Sequence, residues 1–400
     1  MNDSPESLEM HEYRDCTEAW RKAMSERSRL VLFGLVAVVC CLMVSACAST
    51  GAARGRADIE PVPALAGREP TVLVCPIDCI SSDAEIFDLS LVLAPLIRRD
   101  LFCVQRISVI PTEDTDVGGK AFFLNEDGLR RIGRLHGADM VAFGFLRGEA
   151  TGISIELAVF DLTTNYRIFN TTVKGKPSQI FKMERQLVYR FIETLGIKLS
   201  KEEQERMNHR SPSRIAAAKY FGSGLKSEMK GQYAEALMAF AEAVSKDDEL
   251  SVPYAAEARV FEKYNAPLRA MESYENAVAR DEYFAEGWYQ LNLYAVQYKQ
   301  SDMLAKDYCE KALAIAPRFG KAHLSLGARL YALGDLQRAI EETEIAATLL
   351  PVNPLPCYNL GIYYLDADDL ATARDWLQRA LALQPNFELA RTELQKLNDQ

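Results

Sequence analysis

The sequence predicts an α+β protein in which an N-terminal α/β domain is followed by an all-α helical solenoid. Two observations lead to this prediction. Between residues 71 and 198, short apolar runs typical of strands alternate with helical patterns. From residue 214 onward, alanines recur with a period of about 34 residues, which indicates stacked helical hairpins. The chain of 400 residues is long enough for two such domains and a separate N-terminal segment.

An uncharged apolar run at residues 30–48 follows Arg27 and Arg29 and ends in small residues. A positively charged start, an apolar middle and a small-residue end are the pattern of a secretory signal. The run is also long enough to cross a bilayer. The alternative is therefore a transmembrane anchor that leaves residues 1–29 in the cytoplasm.

The end of this run, Val44-Ser45-Ala46-Cys47, resembles the lipobox of bacterial lipoproteins. The resemblance implies that a signal peptide at residues 24–46 is removed and that Cys47 is lipidated. Lipid anchoring is strong because each buried CH₂ contributes about 0.8 kcal/mol. Residues 1–23 are polar and mixed in charge, unlike a signal, so we expect translation to start at Met24.

Residues 47–70 follow as a lipidated tether rich in small residues, proline and arginine, with no hydrophobic period. Twenty flexible residues span on the order of 25 Å. Ala48 follows the cysteine, and in the enteric sorting rule a residue other than aspartate there directs a lipoprotein to the outer membrane. We therefore expect an outer-membrane, lipid-anchored protein that faces the periplasm, with the inner membrane as the alternative.

The α/β domain is expected at residues 71–198, with the element order β-α-β-α-β-β-β-α. The predicted strands are 71–77, 104–110, 139–147, 152–161 and 166–173, and the predicted helices are 82–101, 127–136 and 178–195.

Two motifs of this domain resemble the TolB amino-terminal-like family. Gly137–Gly144 (GADMVAFG) is similar to its helix-to-strand core, and Phe160–Asn165 (FDLTTN) is similar to its hairpin turn, with Asn165 in place of glycine. Asparagine also tolerates the positive φ of such a turn. The resemblance implies a domain that binds other proteins, and the family has no shared catalytic residues to transfer here.

After a charged linker at residues 199–213, five repeats are expected at 214–385, followed by a capping helix at 386–400. One alanine series is Ala236, Ala270, Ala305, Ala339 and Ala373, and a parallel series is Ala243, Ala277, Ala312, Ala346 and Ala380. The approximate repeat bounds are 217–250, 251–284, 285–319, 320–353 and 354–387. The third repeat has one extra residue, which we place in its inter-helix turn at residues 300–302.

This pattern is similar to the tetratricopeptide (TPR) repeat, in which each unit is a pair of helices called A and B. Its small eighth residue lets A and B approach, and the large ring at its fourth position fills the remaining gap. The resemblance implies a groove lined by the A helices, which binds an extended peptide or a helix. The expected groove residues are Phe221, Leu225, Arg259, Glu262, Tyr289, Leu293, Lys321, Leu324, Tyr331, Tyr358 and Ile362.

The remaining composition argues against several other function classes. A net charge of −10 with scattered Lys and Arg argues against nucleic-acid binding. Ser223 and Lys226 match S-x-x-K, but the other motifs of penicillin-binding enzymes are missing. Three aspartates near residue 368 lie in a predicted turn, where polar residues are expected. We therefore expect no enzyme activity, no cofactor, no metal site and no small-molecule substrate.

Five cysteines follow Cys47 in the chain. Cys75 and Cys79 are four residues apart, but no second ligand pair follows, which argues against a zinc site. Free or buried thiols are one expectation, and a Cys79–Cys103 disulfide in an oxidising compartment is the alternative.

Together these features predict a membrane-anchored, non-catalytic adaptor of the bacterial cell envelope. Other envelope proteins or peptides would bind through the TPR groove and the α/β domain. The alternative is an inner-membrane regulatory subunit whose residues 1–29 contact a cytoplasmic partner.

Overall fold

Five strands and fifteen α-helices form in residues 69–111, 126–209 and 214–398, which are the residues that the computed structural model describes. The strands are β1 Thr71–Ile80, β2 Ser108–Val109, β3 Met140–Glu149, β4 Gly152–Asp161 and β5 Tyr166–Gly175. The helices are α1 Ala84–Phe102, α2 Glu126–Leu135, α3 Ile180–Thr194, α4 Lys201–Asn208, α5 Ile215–Met229, α6 Tyr233–Lys246, α7 Val252–Lys263, α8 Pro267–Arg280, α9 Ala285–Gln297, α10 Asp302–Ile315, α11 Gly320–Ala332, α12 Leu336–Leu349, α13 Pro354–Asp366, α14 Leu370–Leu383 and α15 Glu388–Asn398. The predicted signal peptide and Cys47 lie outside these residues, as does nearly all of the tether.

The sheet is mixed, with the strand order β2-β1-β3-β4-β5. Strand β1 pairs in parallel with both β2 and β3, whereas β3, β4 and β5 form an antiparallel meander. The parallel pairs need crossover connections, which contain α1 between β1 and β2 and α2 before β3. The element order β-α-β-α-β-β-β-α is thus the one that the sequence predicts.

Both motifs of the α/β domain have structural roles. Asp139 accepts a hydrogen bond from the backbone N–H of Thr71 at 2.8 Å, which fixes β3 beside β1. A Cβ atom on Gly144 would lie 2.1 Å from the backbone oxygen of Glu156, so only glycine fits there. Asn165 has φ of 66°, as expected for the hairpin turn between β4 and β5.

The predicted strand at 104–110 is much shorter in the structure, where only Ser108–Val109 pairs with β1. The chain between α1 and β2 instead turns, with the N–H groups of Val104 and Ile107 donating to Leu101 and Val104. These local hydrogen bonds replace the ladder that a longer strand would form.

The repeats form five antiparallel helix pairs, from α5 and α6 to α13 and α14, with α15 packed on the last pair. Every alanine of both predicted series is 0% exposed, so the 34-residue period marks the contacts between helices. The connection after α9 runs from Tyr298 to Ser301, one residue longer than the other four, and its Gln300 has φ of 47°. The extra residue of the third repeat lies in this turn.

The expected linker at 199–213 contains a packed helix. Ser200 begins α4 with a capping box, in which its hydroxyl accepts from the N–H of Glu203 and the Glu203 carboxylate accepts in return. Met207 on this helix is 0% exposed. The charged composition of this segment did not indicate a helix, although one side of the helix, with Glu203 and Met207, is buried. None of the helices in the described part of the chain is long and apolar enough to cross a membrane.

Candidate partner-binding surface

The fifth and ninth residues of each repeat lie on one face of its first helix, because residues four apart share a side of a helix. We call the surface formed by these positions the A-helix face. Its fifth-position residues are Phe221, Ala255, Tyr289, Leu324 and Tyr358, and its ninth-position residues are Leu225, Arg259, Leu293, Ala328 and Ile362.

The burial of the A-helix face changes along the stack. At the fifth position, Phe221 is 1% exposed, and Ala255 and Tyr289 are each 7% exposed. Leu324 and Tyr358, at the same position of repeats 4 and 5, are only half-buried. The fifth position is therefore covered over repeats 1 to 3 and more open over repeats 4 and 5, whereas the ninth position is half-buried from repeat 2 to repeat 5.

The N-terminal part of α1 covers the face of repeat 1. A Cβ atom on Gly222 would lie 1.9 Å from the backbone oxygen of Asp88, so the two helix backbones touch. Lys226 pairs with Asp88 and Lys219 pairs with Glu85, each at 2.5 Å. Helix α1 of the α/β domain is thus docked on α5.

The C-terminal part of α1 extends the cover to the start of repeat 4. Arg98 is 5% exposed and lines a small cavity of about 40 Å³ with Phe221 of α5, Arg259 of α7 and Glu286 of α9. The Phe102 ring lies 5.0 Å from the ring of Phe319, and Phe319 is the residue before α11. One helix of the chain therefore occupies the predicted groove across three repeats.

Helix α1 is buried on all sides over its second half. Every residue from Leu89 to Phe102 is buried except Pro95, which is half-buried. The sheet covers one side of the helix and the repeats cover the other. A helix that is apolar all round must be enclosed. The apolar segment at residues 89–97 (LSLVLAPLI) is therefore the sequence feature that indicates an enclosed helix.

A buried polar cluster centred on Arg99 joins three parts of the chain. Its Nε donates to Asp281 between α8 and α9 at 2.8 Å, and its Nη1 donates to Asp100 at 2.9 Å. The same guanidinium donates to the backbone oxygens of Arg206 and Met207 in α4, each at 3.0 Å. Asp100 and Asp281 are each 2% exposed. Because charged hydrogen bonds strengthen in a dry interior, this cluster fixes α1 and α4 against the repeats.

Arg98 and Arg259 have different electrostatic surroundings within this interface. Burial lowers the pKa of Arg98, with Glu286 acting in the opposite direction. Burial also opposes the charge of Arg259, but Glu228 outweighs it and the pKa of Arg259 is raised. Two hydrogen bonds of 3.2 and 3.0 Å join Arg259 to Glu228 in the preceding repeat. This predicted groove residue thus stabilises the stack itself.

The open part of the A-helix face is mainly aromatic and aliphatic. Tyr358 stands edge-on to Phe387 at 5.3 Å, and Tyr331 stacks on Tyr363 at 4.5 Å. The hydroxyl of Tyr331 donates to Asp366, and this hydrogen bond, together with burial, raises the pKa of Tyr331 to about 12. The half-buried Leu324, Ala328 and Ile362 complete this surface. It offers apolar contacts with few charges.

The structure corrects the expectation for two of the predicted groove residues. Phe221 and Tyr289 are enclosed by the chain's own α1 and Phe319, so neither is available to an added partner. Glu262 is exposed and accepts a hydrogen bond from the Tyr294 hydroxyl at 2.7 Å. Lys321 is half-buried at the start of α11.

Other candidate groups have structural roles in the described residues. Lys226 of the S-x-x-K match is the ion-pair partner of Asp88. Asp369, in the acidic turn, caps α14 by accepting from the N–H of Thr372 at 3.1 Å. All five cysteines from Cys75 to Cys357 are free thiols, so the Cys79–Cys103 disulfide does not form here.

Comparisons with known proteins concern the helical part of the chain. No family model matches the sequence. The human Protein O-mannosyl-transferase TMTC3 is 25% identical over 169 residues, which is 42% of this chain and 18% of that protein. The chain thus spans less than a fifth of the length of the curated relative it matches.

Several solved structures are similar at low identity. The MamA protein is 22% identical with a TM-score of 0.38, covering 42% of this chain and 92% of that one. YrrB, a TPR protein with an unusual peptide-binding site, is 20% identical with a TM-score of 0.40, covering 48% and 95%. PilW, a widely conserved type IV pilus biogenesis factor, is 16% identical with a TM-score of 0.37, covering 42% and 77%. By its period and paired helices, this chain is a TPR-like solenoid joined to a small mixed sheet.

Proposed function

We propose that this protein is a membrane-tethered, non-catalytic scaffold of the bacterial cell envelope that holds a partner protein on the open part of its A-helix face. The observation behind this proposal is the burial gradient at the fifth position of that face, which is buried in repeats 1 to 3 and half-buried in repeats 4 and 5. A scaffold built of identical positions thus presents two different surfaces.

The occupant of the closed part supports a helical partner for the open part. Helix α1 binds the A-helix face through an apolar side and a few ion pairs. Leu324 and Tyr358 are the fifth-position residues of repeats 4 and 5, and Ile362 is the ninth-position residue of repeat 5. They correspond to the positions that face α1 in the earlier repeats. An amphipathic helix laid in a groove is a general mode of recognition by such surfaces. The partner in this proposal therefore contributes a helix with an apolar stripe.

The α/β domain contributes a second docking surface in this proposal. Among the residues that the structure describes, its edge strand β5 pairs with β4 alone, which leaves the other edge of β5 for strand addition by a partner. The fixed Asp139 contact and the Asn165 turn are consistent with the resemblance to TolB amino-terminal-like domains. Binding through two surfaces and a membrane anchor raises the effective concentration of each partner near the next.

Site-specific photo-crosslinking in the native cell tests the groove. A photoreactive residue replaces Leu324 or Tyr358 on the open face, with Met238 as the control because it is 72% exposed on α6. We expect the same protein to be captured from both open-face positions and not from Met238. Ile362→Glu should abolish that capture, because it places a charge on the apolar surface.

Capture of the same protein from Met238, or capture that survives Ile362→Glu, contradicts a groove-directed scaffold. Lipid anchoring is tested separately by the intact mass of the membrane-extracted protein beside a Cys47→Ser variant. We expect a mass for residues 47–400 plus three acyl chains that disappears in the variant. An unmodified full-length mass would instead support the inner-membrane alternative with residues 1–29 retained.

A further inference from the structure

An open cleft of about 540 Å³, which we call the repeat-5 cleft, lies between α12 of repeat 4 and α14 of repeat 5. No residue of the A-helix face lines it, so it is separate from the surface of the proposed function. Its walls include Ala347 and Pro351 from the α12 side, Cys357 from α13, and Trp376 and Arg379 from α14.

The cleft has a simple cause in the repeat sequence. The fourth position of a repeat carries a ring in the first four repeats, namely Tyr220, Tyr254, Trp288 and His323, whereas repeat 5 has Cys357. A cysteine side chain is far smaller than an indole. Because protein interiors are otherwise close-packed, the missing ring leaves an unfilled space beside Cys357.

Repeat 3 shows how a ring fills this space. The Trp288 ring lies 5.7 Å from the Tyr308 ring, with the Lys311 ammonium 4.2 Å above the indole. The indole N–H donates to the backbone oxygen of Glu282 at 2.9 Å. One ring, one cation and one carbonyl oxygen therefore surround the tryptophan.

Repeat 5 has residues of the same kind at all three of these positions. Trp376 occupies the position of Tyr308, seven residues into its B helix, and Arg379 occupies that of Lys311, ten residues in. The guanidinium of Arg379 lies 4.5 Å from the centre of the Trp376 ring. Pro351 lies three residues before its A helix, the position of Glu282 in repeat 3 and of Pro317 in repeat 4, whose carbonyl lies 2.8 Å from Nε2 of the fourth-position His323.

We propose that the repeat-5 cleft binds an aromatic side chain of a partner protein, tryptophan above all, in the position that Trp288 takes in repeat 3. An indole presents a π-face to a cation and one N–H to a carbonyl acceptor, which matches Arg379 and Pro351. A leucine side chain fills volume but offers neither interaction. This site goes beyond the proposed function, because a partner can bind it without contacting the A-helix face.

Saturation-transfer NMR with the full chain tests the proposal. The probes are the peptides acetyl-Ser-Gly-Trp-Gly-Ser-amide and acetyl-Ser-Gly-Leu-Gly-Ser-amide at millimolar concentration, since a single side chain gives a dissociation constant on the order of 1 mM. We expect saturation of the indole protons at least fivefold stronger than that of the leucine methyl protons.

Two variants fill or dismantle the cleft. Cys357→Trp places an indole in the cleft from the chain itself, and Trp376→Ala removes the ring that faces the ligand. Each should reduce indole saturation at least fivefold, while Met238→Ala on the remote α6 leaves it unchanged. Because Trp376→Ala removes atoms rather than adding them, it keeps the test valid if Cys357→Trp does not fold.

Equal saturation of the two peptides overturns the proposal, as does full indole saturation in a folded Cys357→Trp or Trp376→Ala variant. Failure here leaves the groove experiment unaffected, because crosslinking at Leu324 and Tyr358 probes different residues. The two results can therefore be separated.

Discussion

Replacing Arg99 by methionine removes the centre of the polar cluster that joins α1, α4 and the repeats. Methionine keeps most of the apolar stem but loses the guanidinium. Asp281 and Asp100, each 2% exposed, then lose hydrogen bonds of 2.8 and 2.9 Å. Two backbone oxygens of α4 also lose their donor. The variant therefore removes the Arg99 charge from two buried carboxylates, of which Asp100 keeps Arg185 as a partner.

The size of the effect follows from how much compensation remains. Asp281 still accepts from the N–H of Tyr283 at 3.1 Å, and Asp100 still faces Arg185 at 3.3 Å. Breaking a buried ion pair by removing one partner costs about 3–5 kcal/mol. We therefore expect the free energy of unfolding to fall by roughly that amount, a large part of the 5–15 kcal/mol typical of a folded domain.

Urea unfolding followed by circular dichroism at 222 nm measures this loss. Arg338→Met is the matched control, because its side chain is 48% exposed and its ion pairs lie at 3.6 and 3.8 Å. Exposed pairs contribute about 0–1 kcal/mol. If Arg99→Met unfolds at the same urea concentration as Arg338→Met, the cluster does not join the domains as described.

Three further predictions concern the same interface and the thiols. Burial raises the pKa of Glu184 well above its ordinary 4.5, so the folded state favours the neutral acid. The free energy of unfolding of the unmodified protein, compared with that of Glu184→Gln, should therefore fall as the pH rises above about 4.5, and urea titrations at several pH values measure it. Gly222→Leu should release α1 from α5, because the new Cβ would lie 1.9 Å from the backbone oxygen of Asp88. Faster proteolysis within residues 84–102 would show the release, and unchanged proteolysis would contradict it. Burial raises the pKa of Cys103 to about 12, and Cys79 is more exposed than Cys103. Iodoacetamide at pH 8 should therefore label Cys79 first, as followed by peptide mass mapping, and labelling of Cys103 first would refute this.

The sequence predicted the helical repeats well because their contacts are periodic. A small residue that separates two helices must recur in every repeat, and all ten predicted alanines are fully buried. The extra residue of repeat 3 could also be placed, since both alanine series shift by one residue between α8 and α10, which bracket the turn. These are local constraints, and one sequence contains them in full.

The cover of the groove could not be predicted in the same way. A residue such as Phe221 looks the same in the sequence whether a partner protein or the chain's own α1 covers it. The pairing of Arg99 with Asp281 joins residues 182 positions apart, which no periodicity reveals. The apolar composition of α1 over residues 89–97 was the available sign that a second surface encloses this helix, and no such surface was predicted from it. The short helix α4 was missed because its eight residues are mostly charged.

The open A-helix face and the cleft both lie in the C-terminal part of the stack, and the length of α1 explains the first of them. Helix α1 is 19 residues long and extends from α5 only as far as Phe319, before repeat 4. Repeats 1 to 3 therefore use their A-helix face for internal packing, which constrains those positions to residues that fit α1. Repeats 4 and 5 are released from that constraint. There the face remains open at Leu324 and Tyr358, and in repeat 5 the fourth-position ring is replaced by Cys357. In the proposed function, a scaffold that covers its groove over repeats 1 to 3 with its own helix directs partners to repeats 4 and 5.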